Sequence, residues 1–192
     1  MTKKTSPRRK KPSAGARLPG QRKSVDVVAR MIRVDHAGEF GAQRIYAGQL
    51  AVLGDTPTGI TIKKMARQED EHLAAFEKLI AARRVRPTAL HPLWHVAGFL
   101  LGSATAALGE KAAMACTVAV EETIVEHYGK QIDALGDDEP ALRQLIEKFR
   151  ADENQHKDIG QDHGAEDLPY YPLLRALIRA GSKTAIWLSE RV

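Results

Sequence analysis

The sequence predicts an all-α fold: a four-helix bundle with an apolar connecting helix and an additional C-terminal helix. Three observations predict it. No segment sustains the period-two alternation of a half-buried strand. Apolar residues recur at helical spacing in windows separated by Gly/Pro-containing breaks. Finally, a Glu-x-x-His sequence occurs twice, at Glu69-Asp70-Glu71-His72 and at Glu153-Asn154-Gln155-His156. On a helix, positions i and i+3 share a face, so each copy aims a carboxylate and an imidazole at one point.

The first helix is expected from an N-cap at Ser24, with Val25, Val28, Ile32, Glu39, Tyr46, Leu50 and Leu53 along one broad face, and Gly54-Asp55-Thr56-Pro57 ending it. The second spans about Thr58 to Ala82, with Ile62, Met65, Leu73, Phe76, Leu79 and Ile80 inward, and is broken by Arg83-Arg84-Val85-Arg86-Pro87. Positions 87–109 carry no formal charge. Their centre, Leu93 to Gly102, is helical in pattern and apolar nearly all round, which means burial or lipid contact. Its length approaches that of a membrane span, but His91, Pro92, His95, Gly102 and Ser103 oppose one. A helix lying in the membrane interface is the better expectation, and burial within the core is its competitor. A long helix follows from about Glu110 to Leu135, stopped by Gly136-Asp137-Asp138-Glu139-Pro140. The next runs from about Pro140 to His163. After Leu168-Pro169, a last helix carries Leu173, Leu174, Leu177, Ile178, Ile186, Trp187 and Leu188.

The chain divides into a basic leader, residues 1–23, and one bundle domain, 24–192. Nine of the basic residues lie in the leader, which has no acid. Subtracting those nine from the net charge of +5 leaves −4 on the remainder. The leader, rich in Pro, Gly and Ser, is expected to be disordered. It lacks the apolar core of a secretory signal. Its charge would attract anionic lipid or nucleic acid; nucleic acid is not the expected partner. A single cysteine, Cys116, excludes an internal disulfide framework and a cysteine zinc site. Its apolar surroundings predict an inert buried thiol.

The periodicity separates inward from solvated acids. Glu69 shares a face with Ile62, Met65, Leu73 and Phe76, whereas Glu71 falls on a stripe with Lys64, Arg67 and Lys78. Glu121 aligns with Met114, Val118, Val125 and Tyr128, while Glu122 aligns with Glu126 and is expected to face outward. Glu153 follows Ile146 and Phe149, and Glu39 follows Ile32. Glu39 precedes Glu69 by 30 positions and Glu121 precedes Glu153 by 32, so the chain reads as two copies of one unit. Four inward carboxylates left unpaired would each cost several kcal/mol or take up a proton. A pair of cations resolves this, and the constellation is that of the ferritin-like carboxylate-bridged di-metal bundles. The predicted ligands, also the catalytic centre, are Glu39, Glu69, His72, Glu121, Glu153 and His156. Glu69, Glu121 and Glu153 are candidates to contact both ions, with Glu69 and Glu153 favoured as bridges. Oxygen ligands with one imidazole per ion suit iron or manganese. Asp152 is expected to reach His72, and Gln68 to reach His156, because a ligating His donates its other N–H outward. Tyr46 and Tyr128 are expected to pack in the core with satisfied hydroxyls. His36, His127 and His163 are polar neighbours of the site.

These residues carry a resemblance. Ile32-Arg33-Val34-Asp35-His36-Ala37-Gly38-Glu39, Arg44-Ile45-Tyr46-Ala47-Gly48-Gln49, Arg84-Val85-Arg86-Pro87-Thr88, Ala113 to Glu122, Asp158-Ile159-Gly160 and Leu188-Ser189-Glu190-Arg191 together resemble the demethoxyubiquinone hydroxylase family of ubiquinone biosynthesis. The resemblance covers about Val25 to Val192 and fills all six ligand positions. It implies a peripheral membrane monooxygenase that hydroxylates the ring of a polyprenylated methoxy-methyl-benzoquinone. The implied cofactors are two iron ions, with O2 as co-substrate and NADH as reductant. No Gly-x-Gly-x-x-Gly nucleotide fingerprint accompanies it. It further implies work beside a lipid-binding partner in a larger biosynthetic assembly, and homo-oligomerisation is an open expectation. The expected location is the cytoplasmic face of a bacterial membrane; the alternative is the matrix side of the mitochondrial inner membrane. The rivals on the same bundle are a ferroxidase and a manganese catalase; the rival from another class is an iron-storage or membrane-bound structural protein with no turnover.

Overall fold

A computed structural model describes residues 24–192; the leader 1–23, with the expectations placed on it, lies outside the described residues. Among them are six α-helices and no strand: α1 (Ser24–Leu53), α2 (Pro57–Arg83), α3 (His91–Ala107), α4 (Glu110–Leu135), α5 (Pro140–Asp162) and α6 (Tyr171–Ser189). The boundaries follow local chemistry. Thr56 caps α2 by accepting from Gly59 N at 3.0 Å, and Pro57 sits at the first helical position, where its missing N–H costs nothing. Arg84 takes the left-handed conformation (φ 51°) that closes α2. A short 3-10 turn, Ala165–Asp167, precedes α6; no sequence signal had marked it.

α1, α2, α4 and α5 form the bundle, α1 packing on α2 and α4 on α5. One apolar cluster, centred on Ile32, Phe76, Tyr128, Ile146 and Phe149, fills one end. A second, centred on Tyr46, Ile62, Met65, Met114 and Val118, fills the other. The six ligand candidates lie on these same four helices.

α3 lies against the outer side of α1. The contact is close because the facing residues are small: a Cβ at Gly48 would strike the Phe99 carbonyl, and one at Gly102 would strike that of Ile45. The opposite face of α3 is apolar and exposed, with Leu93, Val96 and Leu100. Burial within the core is thus ruled out for this helix, and its inner face reads as apolar only because Gly and Ala pack there. No helix among the described residues is long and apolar enough to cross a membrane. α6 packs on α4. Arg175 Nε and Arg179 Nη1 both donate to Glu122 Oε2 at 2.7 Å. Glu122 points away from the bundle centre, as expected, and is clasped there by α6.

Candidate metal centre

All six predicted residues are buried and converge. Glu39 comes from α1, Glu69 and His72 from α2, Glu121 from α4, Glu153 and His156 from α5. Two groups form, Glu39–Glu69–His72–Glu153 and Glu69–Glu121–Glu153–His156; within each, one ligand atom per residue lies within 4.8 Å of the others. Glu69 and Glu153 belong to both groups, the arrangement expected of bridging carboxylates. Each imidazole turns Nδ1 inward: His72 Nδ1 is 2.9 Å from Glu153 Oε1 and 3.6 Å from Glu39 Oε2, and His156 Nδ1 is 3.1 Å from both Glu153 Oε2 and Glu69 Oε1. Each turns Nε2 outward. That of His72 lies 3.2 Å from Asp152 Oδ2, and that of His156 lies 3.0 Å from Gln68 Oε1. These are the contacts anticipated from the chain's internal symmetry. Phe149 packs against the His72 ring, centroids 3.9 Å apart.

The charges are unbalanced as they stand. Burial, then the neighbouring carboxylates Glu153 and Glu39, hold the Glu69 carboxyl well above the usual range. Burial and Glu153 do the same to Glu121. Burial also works to raise Glu153, but hydrogen bonds from His156 and His72 outweigh it and bring the pKa to about 2. For His72, burial opposes the charge, yet hydrogen bonding to Glu153 and Glu39 raises the pKa to about 10. Protons thus accumulate where cations would sit. Glu39 Oε2, both oxygens of Glu69 and Glu121 Oε2 are buried without hydrogen-bond partners. Buried acceptors of this kind carry their full desolvation cost. The donor set of carboxylate oxygens with one imidazole nitrogen per group fits two divalent cations such as iron or manganese.

The tyrosines do more than pack. Tyr46 OH donates to Glu121 Oε1 at 2.8 Å, and Tyr128 OH donates to Glu39 Oε1. The remaining candidates stay outside the two groups. His36 stacks near His91, centroids 4.8 Å apart. His127 Nε2 lies 3.4 Å from buried Asp35, and His163 Nδ1 contacts the Ile159 carbonyl at 2.8 Å. Glu71 is exposed. Cys116 is buried, and burial pushes its thiol up to about 12, so it is inert.

Beside the bundle lies an apolar cavity of about 530 Å³. Its walls are α1 (Val34 to Ile45), α3 (Trp94, Ala97, Gly98, Leu101), α4 (Val120, Ile124) and α6 (Leu174 to Ser189). The apolar stretch read at residues 93–102 supplies the α3 wall. The α1 and α6 walls, which mix Val, Leu and Ile with Gly, Ala and Ser, were not anticipated as parts of one cavity.

The family model described as ubiquinone biosynthesis protein COQ7 matches residues 26–189. The chain belongs to the COQ7 family. The 3-demethoxyubiquinol 3-hydroxylase of Rhodospirillum rubrum is 55% identical over 181 residues, covering 94% of this chain and 85% of that protein. The mitochondrial NADPH-dependent 3-demethoxyubiquinone 3-hydroxylase of Homo sapiens is 57% identical over 169 residues, 86% of this chain and 78% of the relative. The mitochondrial 5-demethoxyubiquinone hydroxylase of Saccharomyces cerevisiae is 37% identical over 180 residues, 85% and 77% respectively. Membership of the COQ7 family makes this chain an enzyme, a hydroxylase of ubiquinone biosynthesis, and agrees with the fold and the resemblance read from the sequence.

Proposed function

We propose that the chain hydroxylates the ring of a 2-polyprenyl-3-methyl-6-methoxy-1,4-benzoquinone, or its quinol, with O2 at a carboxylate-bridged di-iron centre. The observation that carries this is the pair of overlapping ligand groups sharing Glu69 and Glu153. Glu39 and His72 would hold one ion, Glu121 and His156 the other, with Glu69 and Glu153 bridging. When bound, the irons supply reductive activation of O2. The chain's own residues do the rest. Asp152 and Gln68 orient the two imidazoles. Tyr46 and Tyr128 hold the terminal carboxylates. The apolar cavity takes the substrate and excludes water. The names of the mammalian relatives carry NADPH, while the resemblance implied NADH. The reductant proposed is a nicotinamide dinucleotide acting without a Rossmann motif, through the quinone or a partner.

α3 and α6 both line the cavity, and they also expose Leu93, Val96 and Leu100 on one and Leu173, Leu177 and Trp187 on the other. These faces support a peripheral site in a membrane interface, from which a long-tailed substrate enters directly. A lipid-binding partner would present the substrate at these same faces. The mitochondrial names of the eukaryotic relatives support the mitochondrial alternative, and the bacterial relative supports a bacterial membrane.

The test is metal analysis of the purified protein, anaerobic reduction, then exposure to labelled O2 with a short-chain demethoxyquinone. Two irons per chain and a ring hydroxyl bearing the label are expected. O2 consumption that ignores the quinone would overturn the reading in favour of a ferroxidase or catalase.

A further inference from the structure

Glycine inside a helix costs about 1 kcal/mol relative to alanine, so each one calls for a reason. Most glycines of the described chain have one. Gly109, Gly136 and Gly164 have positive φ. Gly48, Gly54, Gly59, Gly98, Gly102 and Gly160 stand where a Cβ would meet another atom at 3.0 Å or less, and Gly129 faces Arg150 at 3.5 Å. Gly38, Gly41 and Gly181 have neither reason: they are helical, and a Cβ would meet nothing within 4 Å. All three line the same apolar cavity.

Their positions are informative. Val34, Ala37, Gly38, Gly41, Ala42 and Ile45 recur at helical spacing and form the α1 wall. The bare stretch of this wall brackets Glu39, which is buried on the other side of the helix among the ligand groups. The wall is therefore stripped of side chains at the level of the proposed metal centre, between bulkier Val34 and Ile45. Gly181, exposed, lines the cavity from α6. An isoprenoid chain alone is narrow and flexible; a ring with methyl and methoxy substituents is broad and rigid.

We propose that Gly38, Gly41 and Gly181 set the bore of this cavity, Gly38 and Gly41 widening it at the level of Glu39 so that a substituted quinone ring passes and seats there. This rests on the proposed quinone substrate. Alanine, valine and leucine are placed singly at each position in the metal-loaded protein. Three quantities are read: Tm, binding of a ubiquinone with two isoprene units through quenching of Trp94 in the cavity wall, and competition by the ring-free alcohol farnesol. Alanine should raise Tm by about 2 °C, because the helix gains propensity. Leucine at Gly41 should weaken the quinone by about tenfold or more while moving farnesol far less. Leucine variants that bind quinone as wild type does, or alanine variants that lower Tm, overturn the role of the glycines alone. A wild-type protein that binds farnesol but no quinone overturns the quinone reading, and the ring-width argument with it.

Discussion

Tyr46 on α1 donates its hydroxyl to Glu121 on α4, and Tyr128 on α4 returns the contact to Glu39 on α1. Each tyrosine lies seven positions after one terminal carboxylate and serves the other. The two halves of the chain are thereby stitched at the candidate centre. Each bond leaves one carboxylate oxygen free to face the cation position: Oε2 of Glu39 and Oε2 of Glu121 are the unpartnered atoms.

Replacing either tyrosine by phenylalanine strands a second oxygen on its partner carboxylate. The cost expected is about 1–3 kcal/mol, a fall in Tm of several degrees for a chain of this size. Metal loading should recover part of it, because the freed oxygen can rotate onto the ion. Differential scanning calorimetry with and without metal decides this. A Tyr128→Phe protein as stable as wild type in both states would show the hydroxyl to be incidental.

The two imidazoles are supported unequally. His72 leans on a carboxylate, Asp152, and His156 on a neutral amide, Gln68. An anionic partner makes the imidazole a stronger donor to metal, so the ion held by Glu39 and His72 should be the tighter. Asp152→Asn should weaken that site alone, by about 10- to 100-fold. Stepwise removal by a chelator, followed by metal analysis, would show two release steps drawing together. A variant that keeps the wild-type release profile sinks the assignment.

How much of this was legible in the sequence follows from the range of each interaction. The convergence of the six candidate ligands was readable because spacing within a helix fixes a face, and because the pattern occurs twice. The Asp152–His72 and Gln68–His156 pairs followed from that duplication. Which carboxylate each tyrosine serves was not readable, since it depends on how α1 and α4 cross. The clasp of Glu122 by Arg175 and Arg179 escaped for a similar reason: its partners are on a helix that follows more than fifty positions later. The cavity escaped because its walls come from four helices, α1, α3, α4 and α6, and spacing within one helix does not say whether an apolar face meets a neighbour or a void.

Glu69 trades stability for binding. Its carboxyl is held well above its usual range by burial and by Glu153 and Glu39, so the metal-free folded protein binds a proton there that the unfolded chain releases. Wherever the native state binds more protons, stability falls as pH rises. The metal-free protein should therefore lose stability from about pH 4.5 upward on account of this group. Glu69→Gln abolishes that loss and should unfold at a higher temperature than metal-free wild type at pH 8, while failing to hold two ions. Thermal melts across pH in the presence of chelator test it; a glutamine variant less stable than wild type at pH 8 contradicts it.

His36 gives the opposite slope. Burial, with His91 beside it, lowers its pKa to about 4, and its Nδ1 is unpartnered. The unfolded chain takes up a proton near pH 6.5 that the native state refuses until about 4. Stability from this residue is present above 6.5 and drains as pH falls, by about 2 kcal/mol at pH 5. His36→Leu should flatten that limb of the profile, measured by urea unfolding of the metal-free protein. An unchanged slope between pH 7 and 5 removes His36 as the cause.

Leu100 and Leu101 are neighbours in sequence with different surroundings. Leu100 is 59% exposed on the outer face of α3, while Leu101 forms part of the cavity wall. Leu100→Asp puts a charge where the membrane interface is proposed and should reduce partitioning into vesicles by about tenfold or more, since one buried leucine contributes about 1.5–3 kcal/mol. Metal content should be untouched. Leu101→Asp should leave vesicle binding nearly intact and suppress quinone binding, because the charge enters an apolar cavity with no cation among its lining residues. Flotation with liposomes and quinone titration separate the two. If both variants float as wild type does, α3 is not the membrane face; if Leu101→Asp alone loses the vesicle, the outer and inner faces of α3 have been assigned the wrong way round.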